Sequence, residues 1–280
     1  ESWIRKKYDL KTKDKFVISG SSSYLLKKEY SSLLTGRNLT FEVLPLSFNE
    51  FLLFKGKSFE TENIKKGIVS EKTAITLTKH VQEFLTIGGF PELFFTPQQF
   101  QQKLLQQYFD DIIYKDIIDR YDLNAQKTKD LALYFMANIT GLFSLRSIRN
   151  SLQLSYDTIK DYLSYYREAF LFFVVDHFSY SFKEQKTLPS KIYCIDNGLR
   201  NAVAFTFSMD SGKLAENAVF IELKRQNKDV YYWKDKGEVD FIVKNRDNSL
   251  TAINVSYSDE ISEREPKSLN EFKSKFSYTK

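Results

Sequence analysis

The sequence predicts an α/β protein with an α-rich middle, and two observations carry that expectation. Short β-rich apolar runs stand near both ends: Phe16-Val17-Ile18 and Leu39 to Leu44 at one, several runs between Lys191 and Val255 at the other. Between them, apolar residues recur at helical rather than alternating spacing. A chain of 280 residues has room for two or three domains and at least one sizeable core.

Phe16-Val17-Ile18 stops at Gly20 and Ser21-Ser22-Ser23, the pattern of a buried strand entering a loop that can cap a helix. Tyr24, Leu25, Leu26, Tyr30, Leu33 and Leu34 fit a short amphipathic helix. Leu39-Thr40-Phe41-Glu42-Val43-Leu44, closed by Pro45, reads as a second strand. Strand, helix, strand suggests the end of a parallel sheet. From Ser47 to about Asp122 the texture is helical, with Phe48, Phe51, Leu52 and Phe54, then Val81, Phe84 and Leu85, then Leu104 to Ile113 in register. Gly88-Gly89-Phe90-Pro91 marks a turn.

Three further helices are expected at Asp130 to Asn138, at Leu145 to Gln153 and after Ser155, followed by a hairpin arm at Phe170 to Tyr180. Three helices and a hairpin is the winged-helix order. The rest reads as strands at Lys191–Ile195, Val230–Trp233, Val239–Val243 and Ala252–Val255, with a helix from Lys213 to Gln226. The expected divisions are 1–125, 126–187 and 188–280.

The 41 basic residues are scattered among 36 acidic ones. A net charge of +5 suits a nucleic-acid partner and equally a solvated Lys-rich surface. The single cysteine, Cys194, sits in the apolar run Ile192 to Ile195, which excludes an internal disulfide and points to a buried thiol in a reducing, cytoplasmic setting. His80 and His177 stand alone, without zinc-ligand spacing. The apolar stretch Ala169 to Val175 is too short to cross a bilayer, so no membrane partner is expected. The chain begins at Glu1 rather than Met, as a segment of a longer product would.

Gly56-Lys57-Ser58 lacks the earlier glycine of a phosphate loop, since position 51 is Phe, and reads as a surface turn. Asp110-Asp111 follows helical period and reads as a solvated helix face rather than the strand tip of a magnesium site.

The string GSSSYLL…LLTGR…FEVLPLSFNEF over residues 20–51 resembles a family of prokaryotic AAA-like P-loop ATPases. Trp3 matches a tryptophan that follows the Walker-B strand in that family. The resemblance implies that the strand before Gly20 is the end of a P-loop NTPase sheet, with a helical lid after it. It makes Ser21 and Ser22 candidates for sensing the γ-phosphate or attacking water, and Arg37 a candidate phosphate contact. Read without the family, the serines cap a helix and Arg37 pairs with a carboxylate. ATP and Mg2+ are implied for the full-length protein, although the phosphate loop and Walker-B acid have no counterpart in this chain.

The resemblance continues through GGFPEL (88–93), KIYCIDNGL (191–199), LAENAVFIEL (214–223) and YYWKDKGEVDFIV (231–243) into the C-terminal module of these ATPases. That module is similar to the PD-(D/E)xK nuclease-like mixed-sheet fold, which implies metal ligation by Glu216 and Asp240. On the next strand the acid and lysine positions are Asn254 and Ser256, so the site is expected to be degenerate. Glu216 and Asp240 would then pair with Lys234, Lys236 or Arg200.

The winged helix supplies the nucleic-acid candidates Thr158, Lys160 and Tyr165 on its third helix, with Arg146 and Arg149 on its second for phosphate. Asp157, Asp161 and Glu168 dilute that charge, so a protein-packing spacer stands beside a DNA reader. The leading expectation is a partial AAA-like ATPase coupling ATP to double-stranded DNA or a protein partner, with the oligomeric state open. The alternatives are a non-enzymatic DNA-binding adaptor and a metal-dependent nuclease.

Overall fold

Serine hydroxyls cap five of the helices among the described residues. In the computed structural model, which describes residues 2–10, 14–21, 39–59, 64, 66–205, 210–258 and 262–276, α1 covers Ser2–Asp9 and α2 covers Phe48–Phe54. Ser47 caps α2: its Oγ accepts the Glu50 N–H at 3.3 Å, while the Glu50 carboxylate accepts the Ser47 N–H at 2.8 Å. Ser70 caps α3 (Glu71–Ile87), which ends at Gly88 with φ +80°.

Next, α4 (Gln98–Asp111) runs into a π-helical stretch, Ile112–Ile118. The wider turn sends Ile113, Ile117 and Ile118 into the core together. After α5 (Ala125–Ala137) come β1 (Leu142–Phe143), α6 (Leu145–Leu152), α7 (Tyr156–Glu168), β2 (Phe172–Val175), α8 (Phe182–Thr187) and β3 (Ser190–Cys194). The Ser155 hydroxyl caps α7 through the Thr158 N–H at 3.1 Å, as read from the sequence. The three strands form an antiparallel sheet in the order β1-β3-β2.

The chain ends with α9 (Asn197–Val203), α10 (Ser211–Arg225), β4 (Asp229–Lys234), β5 (Glu238–Lys244), β6 (Leu250–Ile253) and α11 (Arg264–Lys275). Here the sheet is antiparallel in the order β4-β5-β6. One parallel bridge, His177 to Tyr232, joins the two sheets. There the Phe178 N–H donates to the Tyr232 carbonyl at 2.6 Å and the Tyr232 N–H to the Asp176 carbonyl at 3.2 Å.

The fold is mixed α/β as expected, with two corrections. Segments 16–18 and 39–44 are not strands: they have no ladder partner among the described residues, and Val17 and Val43 are 95% and 93% exposed. A strand without a neighbour has nowhere to send its backbone hydrogen bonds. The helix expected over 24–34 lies outside the described residues. The strand at Lys191, read as opening the C-terminal module, instead completes the middle sheet as the partner of both β1 and β2.

One carboxylate gathers three stretches of chain. Asp196 Oδ2 accepts the Gly89 N–H at 2.7 Å and Oδ1 accepts the Leu199 N–H at 2.9 Å. Gly89 in turn accepts the Leu46 N–H at 2.7 Å. The approach is so close that a Cβ on Gly198 would lie 1.9 Å from the Ile87 carbonyl oxygen. Asn217 on α10 takes the place of a strand beside Cys194, where β1 has already ended. Its Oδ1 accepts the Cys194 N–H at 2.9 Å and its Nδ2 donates to the Cys194 carbonyl at 3.1 Å.

Asn217→Ala is expected to cost about 2–3 kcal/mol, because both Cys194 backbone groups lose their partner inside the core. Gly198→Ala should cost a similar ~1–3 kcal/mol through overpacking against Ile87. Urea unfolding monitored by circular dichroism reads both, and a midpoint unchanged in either variant would contradict the corresponding contact.

Candidate functional site

Alternation along β3 sends successive side chains to opposite faces. Ile192 and Cys194 enter the main helical core, while Lys191 and Tyr193 face α10 and the C-terminal sheet. Glu238 and Asp240, two apart on β5, approach from that sheet, and Glu216 descends from α10.

All three acids converge on one ammonium. Lys191 Nζ lies 3.0 Å from Glu216, 2.8 Å from Glu238 and 3.2 Å from Asp240, and its side chain is 2% exposed. The Tyr232 ring lies beside it, with the centroid 5.9 Å from Nζ. Tyr193 stacks on Phe220, one turn beyond Glu216, and donates its hydroxyl to Glu216 at 2.7 Å. The second Asp240 oxygen accepts the Val255 N–H at 2.9 Å. At the rim, Lys234 pairs with Glu238 at 2.9 Å.

Burial sets the protonation of this cluster. Desolvation alone would lower the Lys191 pKa, but the three carboxylates outweigh it and hold the group charged, well above the ordinary lysine value. Burial raises Glu216 to about 7, with Asp240 adding to the rise and Lys191 and Tyr193 opposing it. Burial would raise Glu238, but Lys191 and Lys234 together outweigh it and hold the carboxyl below its ordinary value.

Glu216 and Asp240 thus come together as expected, but their cation is Lys191 and not Lys234, Lys236 or Arg200. Arg200 is buried elsewhere, with Asp210 at 3.5 Å and the Met136 carbonyl at 3.4 Å. Asn254 turns away from the acids. Its amide oxygen accepts the Asp240 N–H at 3.1 Å and its amide nitrogen donates to Ser268 Oγ at 2.9 Å. Ser256 lies 3.0 Å from Ser258. Among the described residues, no group of three or more His, Cys, Asp or Glu side chains has the arrangement to hold a metal ion.

The other candidates lie apart from this cluster. Ser21 donates to Asp116, on the π-helical stretch, at 3.0 Å. Ser22 and Arg37 lie outside the described residues. Arg146, Arg149 and Lys160 are exposed on α6 and α7, and none has an acidic partner among the described residues. The Arg149 guanidinium sits 5.0 Å over the Tyr156 ring. Thr158 is occupied with Ser155 at the α7 cap, and Tyr165 stacks on Tyr121 at 3.8 Å.

A cavity of about 460 Å³ lies on the other side of α10, between Pro45–Asn49, α3 and Asp196. Three segments of the chain meet around it, and each resembles a known family. Residues 1–52 match the family model of an AAA domain. Residues 78–210 match a domain of unknown function, DUF8612, and residues 211–280 another, DUF4143. These matches point to an ATPase-like family.

An uncharacterized protein of Methanocaldococcus jannaschii is 36% identical over 263 residues, covering 89% of this chain and 57% of that protein. An uncharacterized protein of Haemophilus influenzae is 30% identical over 241 residues, covering 84% of this chain and 57% of its own. The chain therefore spans little more than half the length of either relative. No solved structure matches. Among the described residues no helix is long and apolar enough to cross a membrane.

Sequence reasoning missed Lys191, Tyr193 and Glu238. A signal was present: a lysine and a tyrosine two apart in an otherwise apolar strand share one face, and a buried lysine requires acids.

Lys191→Ala is expected to cost about 3–5 kcal/mol, since it leaves three carboxylates without their cation. Lys234→Ala, at an exposed pair, should cost under ~1 kcal/mol. The raised pKa of Glu216 fixes the sign of a pH effect. Its contribution to stability is fully present below its ordinary 4.5 and is lost as pH rises through about 7. Glu216→Gln should flatten that part of the stability profile, read as urea midpoints from pH 4 to 8, and an unaltered slope would contradict the assignment.

Proposed function

We propose that this chain is part of an AAA-like ATPase in which a winged helix binds double-stranded DNA and the C-terminal module holds that winged helix in place. The observation that carries the ATPase part is the match of residues 1–52 to an AAA domain. The chain has no Gly-x-x-x-x-Gly-Lys-Ser/Thr loop, so its own contribution to nucleotide binding rests on Ser21, Ser22 and Arg37. Bound ATP with Mg2+ would supply the charge that such groups sense.

The DNA part rests on α5 to β3. The order helix, short strand, helix, helix, hairpin, with strands arranged β1-β3-β2, supports the winged-helix reading. In it, α7 is the groove helix and the segment from Asp176 to Pro189 is the wing. Arg146, Arg149 and Lys160 supply positive charge not already neutralised by an acidic side chain. Lys183 and the exposed Tyr180 and Phe182 extend the surface onto the wing. Asp157 and Asp161 on α7 argue against a dense phosphate footprint, so affinity is expected to be modest.

Fluorescence anisotropy with a labelled duplex between 50 and 200 mM salt tests this reading. Binding should weaken with salt, and the Arg146→Ala/Arg149→Ala double variant should lower the logarithmic slope by about 2. Salt-independent binding, or an unchanged slope in the double variant, would remove DNA and leave a protein-binding adaptor. Titration of a fluorescent ATP analogue with Mg2+ into a protein of the relatives' full length, with and without duplex, then asks whether nucleotide changes DNA affinity.

A further inference from the structure

We infer that Lys191 is the resident cation of the C-terminal acidic centre, so that this nuclease-like module closes without a divalent metal. In place of metal chemistry, the centre ties the hairpin strand β3 to the C-terminal sheet. The nuclease-like resemblance implies a metal on Glu216 and Asp240, and the geometry does not fit one. A divalent ion needs several oxygens converging at roughly 2.0–2.6 Å. Here the acids converge instead on an ammonium at 2.8–3.2 Å, a hydrogen-bonding distance.

Further acceptor positions on these acids are engaged by the protein itself. Glu216 Oε1 takes the Tyr193 hydroxyl as well as Lys191, and Asp240 Oδ2 takes the Val255 N–H. The positions that would supply a third acid and a lysine are Asn254 and Ser256. Asn254 spends its amide on the Asp240 N–H and on Ser268, which ties β6 to α11. Two ammonium groups already face these acids: Lys191 meets all three, and Lys234 meets Glu238 at 2.9 Å.

The cation also belongs to the middle sheet. Lys191 pairs in the ladder with Leu142 of β1 and Val175 of β2, so its ammonium anchors the proposed wing to the module matching DUF4143. A bound metal would hold α10 and β5 together and leave β3 out. The lysine joins all three.

The test is metal binding, read without reference to any activity. In the unaltered chain, millimolar Mn2+ or Mg2+ should leave the melting temperature unchanged, and Mn2+ titrated in an electron paramagnetic resonance assay should remain free. In Lys191→Met, Tm should fall by about 10 °C in EDTA, and saturable Mn2+ binding with partial recovery of Tm should appear. Lys191→Arg keeps a cation in place and should stay metal-blind, which covers the case in which Lys191→Met does not fold. Stoichiometric Mn2+ binding by the unaltered chain, lost in Asp240→Asn, would overturn the inference. A folded Lys191→Met that gains no metal affinity would overturn it as well.

Discussion

The carboxylate of Asp196 is the point on which the arrangement depends. It is buried, and burial raises it to about 6 even though it accepts backbone N–H groups from Gly89, Leu199 and Gly198. Side chains cannot enter this junction. A Cβ on Gly88 would fall 2.1 Å from Asp196 Oδ1, and one on Gly89 would fall 2.5 Å from the Leu46 carbonyl oxygen. Three glycines therefore stand where three stretches of backbone touch. Around them Asn201 donates to the Thr86 carbonyl at 2.9 Å, and Arg225 reaches the Pro45 carbonyl at 2.5 Å. The segment matching an AAA domain meets α10 through the Arg225 bond and through Leu44, which packs on the cluster holding Phe220 and Ile221.

From that junction the two polar centres of the protein follow along one helix. Asn217 and Glu216 are neighbours on α10 and point to different tasks. The amide completes the hydrogen bonding of β3, and the carboxylate joins the Lys191 cluster. A change in the tilt of α10 would disturb both, together with the cavity lined by Ala218, Ile221 and Arg225. The AAA-like segment, the hairpin and the C-terminal sheet thus share one mechanical element.

Much of this was legible in the residues. Ser155 as a cap, the helices at Leu145 and Lys213, the β strands near Val230 and Val239, the turn at Gly88 and the buried Cys194 all follow from local rules, and the structure agrees with them. The convergence of Glu216 and Asp240 was legible through family resemblance. What was not legible is long-range. Lys191 sits 25 residues from Glu216 and 49 from Asp240, and its spacing from Tyr193 says that acids are needed without saying which ones. Val17 and Val43 mislead for the opposite reason. Their residues favour a strand, but a strand forms only where a partner is present, and propensity cannot report the partner. The π-helical turn at Ile112–Ile118 likewise gives no signal that separates it from an ordinary helix.

The two-faced character of β3 has a consequence for how the hairpin can move. Sliding a strand by one residue exchanges its faces. In most sheets the penalty for such a slip is a few exposed apolar side chains. Here it would drive an ammonium into the cluster of Phe135, Tyr166 and Phe172 and present Ile192 to three carboxylates. The strand is keyed like a ratchet pawl, so any displacement reaching it from α10 must carry the hairpin as a rigid whole.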